Sequence, residues 1–295
     1  MPDTYRILPD EPIAVATRRI VAALVEDAIR QRDRSDVDTA VHEIRKRCKE
    51  GRAVLRLVRG AAPFAQTEIH AMRDAARIVG DVRDRRSLEL AVDALATGGR
   101  LDEGLESGMR KHLASRPVGD RSAAELVDGV IERLVSVRQR IPSWELAVDG
   151  WDAVRPGLER TARRARARLR DVHVDPSADA FHEWRKRVKD ARHHAELLLE
   201  VAPLQVEHHE LLVRLSDVLG LHHDLSMLRA TVSGQAGPMS SELAERAGDR
   251  IFHRQAELAA QALDLGATAF ADSVEDRLAT LEATWRGGRT AVVQA

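Results

Sequence analysis

Two short stretches carry the residues best suited to chemistry. Residues 41–52 read Val-His-Glu-Ile-Arg-Lys-Arg-Cys-Lys-Glu-Gly-Arg, and residues 181–192 read Phe-His-Glu-Trp-Arg-Lys-Arg-Val-Lys-Asp-Ala-Arg. Seven of the twelve positions are identical: His42/His182, Glu43/Glu183, Arg45/Arg185, Lys46/Lys186, Arg47/Arg187, Lys49/Lys189 and Arg52/Arg192. The charges are kept while the apolar residues drift. Imidazole, guanidinium and ammonium groups at this density donate hydrogen bonds and carry positive charge, so the chemistry on offer is capture of an anion. The His-Glu start also invites a zinc-protease reading. That motif needs a second histidine at the fifth position, where Lys46 and Lys186 stand, so the second ligand is missing.

On a helix turning about 100° per residue, Val41, Ile44, Cys48, Leu55 and Val58 share one face. His42, Arg45, Lys49, Arg52, Arg56 and Arg59 form a second stripe about 110° round from it. In the second copy His182, Arg185, Lys189 and Arg192 hold the stripe, and Trp184, Val188, Ala191 and Leu198 the core. In the segment 158–172, Arg163, Arg166 and Arg170 fall on the same flank as the stripe. Like charges at i, i+3 and i+4 repel, and Glu43, Glu50, Glu183 and Asp190 lie elsewhere on the wheel. The stripe therefore calls for a negative partner from outside, and its regular spacing suits a linear polyanion contacted phosphate by phosphate. The plainer alternative is a solvated face laced with weak surface ion pairs. Recurrence of the charges in the second copy favours the ligand.

Other chemistries find less support. No Gly-x-x-x-x-Gly-Lys-Ser/Thr loop and no Glu-x-x-His pair occurs. The second half holds His173, His182, His193, His194, His208, His209, His222, His223 and His253. Adjacent histidines on a helix point about 100° apart, so each pair offers at most one convergent metal ligand. No catalytic residue, metal or cofactor is expected, and the protein is read as non-enzymatic. Asp84 and Asp224 read as N-caps or as anchors for a nearby arginine, with Arg83 and His223 bordering the groove. Trp144, Trp151, Trp184 and Trp285 are scattered and form no stacking platform, which weighs against sequence-tolerant binding of single-stranded nucleic acid.

The elements that must position these residues are helical throughout. Apolar residues make up 44% of the 295, charged residues 32% and aromatics 3%, and no convincing alternating strand occurs, which predicts an all-α protein. Net charge is only −1. Yet residues 41–59 hold seven basic and two acidic side chains, and residues 160–170 hold six arginines and no acid. This is a focused basic site on a neutral body. Cys48, the only cysteine, lies on the apolar stripe and reads as packing. No apolar signal core or membrane-spanning run is present, so a cytoplasmic protein is expected.

Helices are predicted over about 13–30, 38–59, 66–79, from 84 with a break at Gly98-Gly99 and on to 113, 122–140, 158–172, 177–201, 206–219, a short one after Asp224, 240–265 and 271–285. Gly80 is expected as a C-cap, Gly220 as a helix end, and 116–121 and 233–238 as links, with a loose tail after Trp285. The offset of 140 also pairs Gly80 with Gly220, Asp84 with Asp224, Leu88 with Leu228 and Val92 with Val232. One domain over 13–285 is expected, built of two similar up-down helical bundles (13–140 and 151–285) related by internal pseudo-twofold duplication. Equivalent helices would then face each other across one groove.

The repeated His-x-x-Arg-Lys-x-x-Lys-x-x-Arg helices, followed by Leu/Val-Gly-x-x-(Arg/His)-Asp, resemble the CHAD domain, the conserved histidine α-helical domain, over about Ile13 to Trp285. The resemblance implies two four-helix bundles enclosing a basic groove or pore, binding of inorganic polyphosphate, and association with polyphosphate granules. Carried over by position, the contacts would be His42, Arg45, Lys46, Lys49, Arg52, His182, Arg185, Lys186, Lys189 and Arg192. Arg56, Arg163, Arg166 and Arg170 are added from the wheel. The chain has no Glu-x-Glu-x-Lys start of the triphosphate tunnel domain fused to some members, so catalysis would belong to a polyphosphate-metabolising partner. The first half lacks a counterpart of the arginine-rich 160–170 segment, so the two groove walls need not bind equally.

Overall fold

Apolar residues recurring every three to four positions, with polar caps between them, make this chain a series of helices. The computed structural model describes residues 5–115, 122–234 and 239–293, the side chains at 81, 83, 204 and 288–293 excepted. The predicted link 116–121 and most of 233–238 lie outside the described residues. Among the described residues the α-helices are α1 (Ile13–Arg30), α2 (Val37–Leu57), α3 (Ala65–Ile78), α4 (Gly80–Thr97), α5 (Glu103–Ala114), α6 (Ala123–Arg140), α7 (Gly150–Val174), α8 (Ala178–Leu197), α9 (Val206–Val232), α10 (Ser241–Ala269) and α11 (Val274–Val293). The two helices with the repeated motif begin on caps. The Asp36 carboxylate accepts from the amides of Asp38 and Thr39 before α2, and the Ser177 hydroxyl accepts from the Ala180 amide before α8.

Helices α1, α2, α3 and α6 pack in a closed ring, and α7, α8, α9 and α10 pack in chain order with α11 against α7. One core gathers Ile20, Ile44, Leu55, Met72 and Leu134 from the first set, together with Trp151 and Leu158 of α7 and Trp285 of α11. A second gathers Val172, Trp184, Leu215 and Ala262 from α7 to α10. A third joins Leu88 and Leu95 of α4 and Met109 of α5 to Leu228 of α9 and Ile251 of α10. Each of the larger apolar side chains buried here contributes about 2–3 kcal/mol relative to exposure.

Several boundaries differ from expectation. Gly80 is not a C-cap. It opens α4 after a bend at Val79 (φ −100°, ψ 23°), and among the described residues the glycines with positive φ are Gly99 and Gly150. Gly220 ends nothing, since α9 runs through it. Asp84 and Asp224 therefore lie inside α4 and α9 and cap neither. Helix α7 starts at Gly150 and carries Pro156 in its second turn, at the loss of the bond an N–H there would make to the Asp152 carbonyl. The expected loose tail is helical to Val293. The link after α6 is tied down: the Ala147 amide donates to Ala61 carbonyl (2.8 Å), and Asp149 Oδ1 accepts from the Ile13 amide (2.6 Å).

Helices α2 and α8 cross in direct contact. His194 of α8 is buried and its Nε2 lies 3.1 Å from Ala53 carbonyl of α2. Burial pushes its pKa down to about 4, so the ring is neutral and donates that proton to the carbonyl. The first turns of α7 press on the end of α2: a Cβ on Gly157 would stand 1.9 Å from Leu57 carbonyl oxygen. Gly157→Ala should therefore destabilise by about 2 kcal/mol or more, because backbone must move. Gly220→Ala, mid-helix with open space around it, should stabilise by about 0.5–1 kcal/mol. Urea midpoints of the two variants test this contrast, and equal shifts would refute the close approach.

Candidate anion-binding groove

The stripes of α2 and α8 face a cavity because the acids of the repeated segments are engaged on another side. Arg47 pairs with Glu50 (2.9 Å), Glu43 (3.2 Å) and Asp27 of α1 (2.5 Å). Arg187 likewise pairs with Asp190 (3.2 Å) and, at 4.0 Å, with Glu183, which also meets Lys186. In both copies the arginine off the stripe meets carboxylates, although Asp190 is shared with Arg56 of the stripe and Glu183 with Lys186.

A cavity of about 420 Å³ gathers His42, Arg45, Lys46 and Lys49 of α2 opposite Lys189, Arg192 and His193 of α8. Helices α4 and α9 complete it with Arg86, Ser87 and Leu90 and with Asp217 and Asp224. Its lining cations outnumber its carboxylates: Arg45, Lys46, Lys49, Arg86, Lys189 and Arg192 against Asp38, Asp217 and Asp224. An adjoining hollow of about 250 Å³ shares Leu90, Lys189, Asp217 and Asp224 and adds Arg185. On the other side a hollow of about 300 Å³ shares Lys46 and Arg192 and is closed by Tyr5, Asp27, Glu50 and Glu196. The groove is thus described by three hollows that share lining residues of the two cationic helices. Arg45 is anchored at the α3–α4 bend, its guanidinium donating to Ala76 carbonyl (2.6 Å).

Other predicted residues sit differently. His182 lies against His223, Nδ1 to Nδ1 3.1 Å and ring to ring 4.3 Å, so one nitrogen donates and the other accepts. Burial first, then Lys186 and Arg185, holds the His182 pKa below its usual value. Arg83, the residue at the position matching His223, has its side chain outside the described residues. Lys186 is half-buried beside Glu183. Arg52 is outside the set lining the main cavity; burial, then Arg56, pulls its pKa down to about 10, and its Nε is buried without a hydrogen-bond partner. Arg56 spans to Asp190 of α8 (2.8 Å).

The helical-wheel placement of the α7 arginines needs correction. Arg163 pairs with Glu159 (3.0 Å) and with Glu275 of α11 (2.6 Å), beside a separate hollow. Arg166 donates to Phe270 carbonyl (2.7 Å) and to Asp272 carbonyl. Arg170, one turn on, is exposed. That flank of α7 meets α11 and the turn after α10, a relation no single-helix wheel contains. Sequence reasoning missed Arg86, Ser87 and Asp217, which reach the groove only because α4 and α9 cross it. Cys48 is buried and burial pushes its thiol up to about 12, so it packs and does not react. Among the described residues no three His, Cys, Asp or Glu side chains converge as metal ligands, and no helix is long and apolar enough to cross a membrane. All four tryptophans are buried and present no stacking face.

Comparison with family models matches the CHAD domain over residues 15–233. The match stops short of Trp285, before α10, although α10 shares two cores with the matched helices. Comparison with curated proteins gave no match.

Asp190 is the buried carboxylate that holds the crossing of α2 and α8. Asp190→Asn should cost about 2 kcal/mol, below the usual figure for a fully buried pair because Arg56 keeps some water. Adding Arg56→Gln should recover part of that loss, since the two residues act as one unit. Urea unfolding of the single and double variants checks this; additive losses would show that the pair is not coupled.

Proposed function

Because the chain belongs to the CHAD domain family, we propose that it binds inorganic polyphosphate, without transforming it, in the groove between α2 and α8. The observation that carries this reading is that the stripes of the two repeated segments, far apart in sequence, line one cavity from opposite walls. A polyanion in that cavity meets ammonium groups from Lys49 and Lys189 and guanidinium groups from Arg45 and Arg192 in succession. Arginine forks and lysine ammoniums both suit non-bridging phosphate oxygens.

The recurrence of the Arg47–Glu50 and Arg187–Asp190 pairs at the same offset supports reading the two halves as a duplication with pseudo-twofold symmetry, the groove lying across its axis. Retention on polyphosphate granules in the cytoplasm, beside enzymes that make or degrade the polymer, would follow from such binding.

Long-chain polyphosphate should bind far more tightly than orthophosphate, with affinity falling steeply as salt rises, because each contact releases counterions. Lys49→Glu with Lys189→Glu should reduce affinity by about 100-fold or more. These two side chains are better probes than Arg45 and Arg185, since Arg45 holds backbone and Arg185 is buried. Calorimetric titration decides; equal affinity for orthophosphate and the polymer sinks the proposal, and displacement of polymer by RNA at equal phosphate concentration would reassign the ligand.

The direction of the His182 shift sets the pH dependence. The free ring stays neutral below its usual pKa, while a bound phosphate favours the imidazolium. Ligand binding therefore takes up a proton, and affinity should rise as pH falls from about 8 to about 5.5. His182→Gln should flatten part of that rise, measured by titration across the range; an unchanged profile would remove His182 from the site.

A further inference from the structure

We infer that the groove has a preferred exit: a bound phosphate chain leaves past Arg52 onto an arginine cluster built by α2, α7 and α8 around Asp190. This inference rests on the polyphosphate reading and adds to it a second contact region with a direction.

The cluster has too few acids for its cations. Asp190 receives Arg56 at 2.8 Å and Arg187 at 3.2 Å. Arg164 of α7 lies within electrostatic reach of Arg187, Arg160, Arg59 and Asp190, and Arg52 within reach of Arg56 and Asp190. Among the described residues Arg52, Arg59, Arg160 and Arg164 take no carboxylate partner. Such a cluster in water repels itself and gains from a multiply charged anion. It is also continuous with the groove, because Arg52 and Arg56 follow Lys49 along the same stripe of α2, one and two turns on.

The opposite end of the groove has the other character. There Lys46, Arg47 and Arg192 are matched by Asp27, Glu50 and Glu196, and Tyr5 closes the space with its hydroxyl 3.2 Å from His193 Nδ1. At the repeat offset of 140, Arg56 takes the place that Glu196 holds at the closed end, and Arg164 and Arg160 correspond to Leu24 and Ile20. One end is neutralised and stoppered, and the equivalent end is a surplus of guanidinium. A linear phosphate chain longer than the groove gains contacts only in the second direction.

Arg160→Glu with Arg164→Glu tests this in the full chain. Neither side chain holds a described ion pair, and far-UV dichroism checks that the fold persists. Long-chain polyphosphate should lose about 10-fold or more in affinity with a shallower salt dependence, while tripolyphosphate, which fits inside the groove, should be unaffected. Undiminished binding of the long chain overturns the exit. So does equal weakening of long and short chains, which would mark a general field and not a contact region. The Lys49→Glu, Lys189→Glu protein separates the two readings: its failure to lose binding would overturn the groove itself, whereas its loss of both ligands beside an unaffected Arg160→Glu, Arg164→Glu protein would overturn the exit alone.

Discussion

The structure depends on holding two cationic helices across each other. Each of α2 and α8 carries a row of like charges at helical spacing, unfavourable within one helix and more so when two rows meet. Three devices hold the crossing. Asp190 lies between Arg56 of one helix and Arg187 of the other. A neutral, buried His194 bonds the Ala53 carbonyl. Apolar residues behind each stripe, Ile44 and Leu55 on α2 and Trp184 and Val188 on α8, are fully buried. The ion pair alone would be a weak source of stability. Its value is specificity, since another registry of the two helices would part Asp190 from Arg56 and leave the buried carboxylate only Arg187 of its own helix. The groove is therefore a by-product of the same packing that fixes the fold.

The two halves differ where the groove is roofed. Helix α9 runs unbroken through Gly220, whereas the corresponding stretch of the first half bends at Val79 into α3 and α4. The bend lets α4 leave its own bundle and bury Leu88, Val92 and Leu95 against α5, α9 and α10. It also brings Ala76 carbonyl to Arg45, so a stripe arginine secures the point at which the chain changes direction. The two stretches, alike in sequence spacing, thus differ in course: one straight helix and one bent pair.

Much of this was legible before any coordinates. Helix 13–30 and the separation of stripe from core follow from periodicity and angle counting, whereas the Asp36 and Ser177 caps that start α2 and α8 emerge with the structure. The angle of a residue on its own helix is a local property, but its neighbour is not. Hence His42, Lys46, Lys49, Lys189 and Arg192 do line the cavity, while Arg163 and Arg166 turn to α11 and the turn beyond α10. Arg52 and Arg56 follow the stripe in sequence spacing but lie outside the set that lines the cavity, Arg56 pairing with Asp190. Gly80 and Gly220 invite reading as helix ends because glycine is a good C-cap. That reading fails where tertiary packing supplies the continuation, as at α9. Arg86 and Asp217 carry no periodic signal that marks them for a groove assembled from four helices.

The distribution of charge along the groove also bears on what it can hold. A site for one phosphate concentrates donors on a single point, often at a helix N-terminus. Here the cations are strung out over successive turns of two helices, and carboxylates of Asp38, Asp217 and Asp224 are interspersed with them. Those acids lower the attraction for a small anion at any one place and leave the net positive row intact over its length. An extended polyanion averages over the row and gains from every surplus cation it passes. A compact anion meets one lysine and one aspartate together and gains little. Three of the histidines stand apart from that row: burial pushes the pKa of His194, His208 and His222 down to about 4, 3 and 4, so the rings are neutral, and His194 bonds the Ala53 carbonyl. His182, half-buried beside Lys186 and Arg185, is held below its usual pKa by burial and then by those two cations.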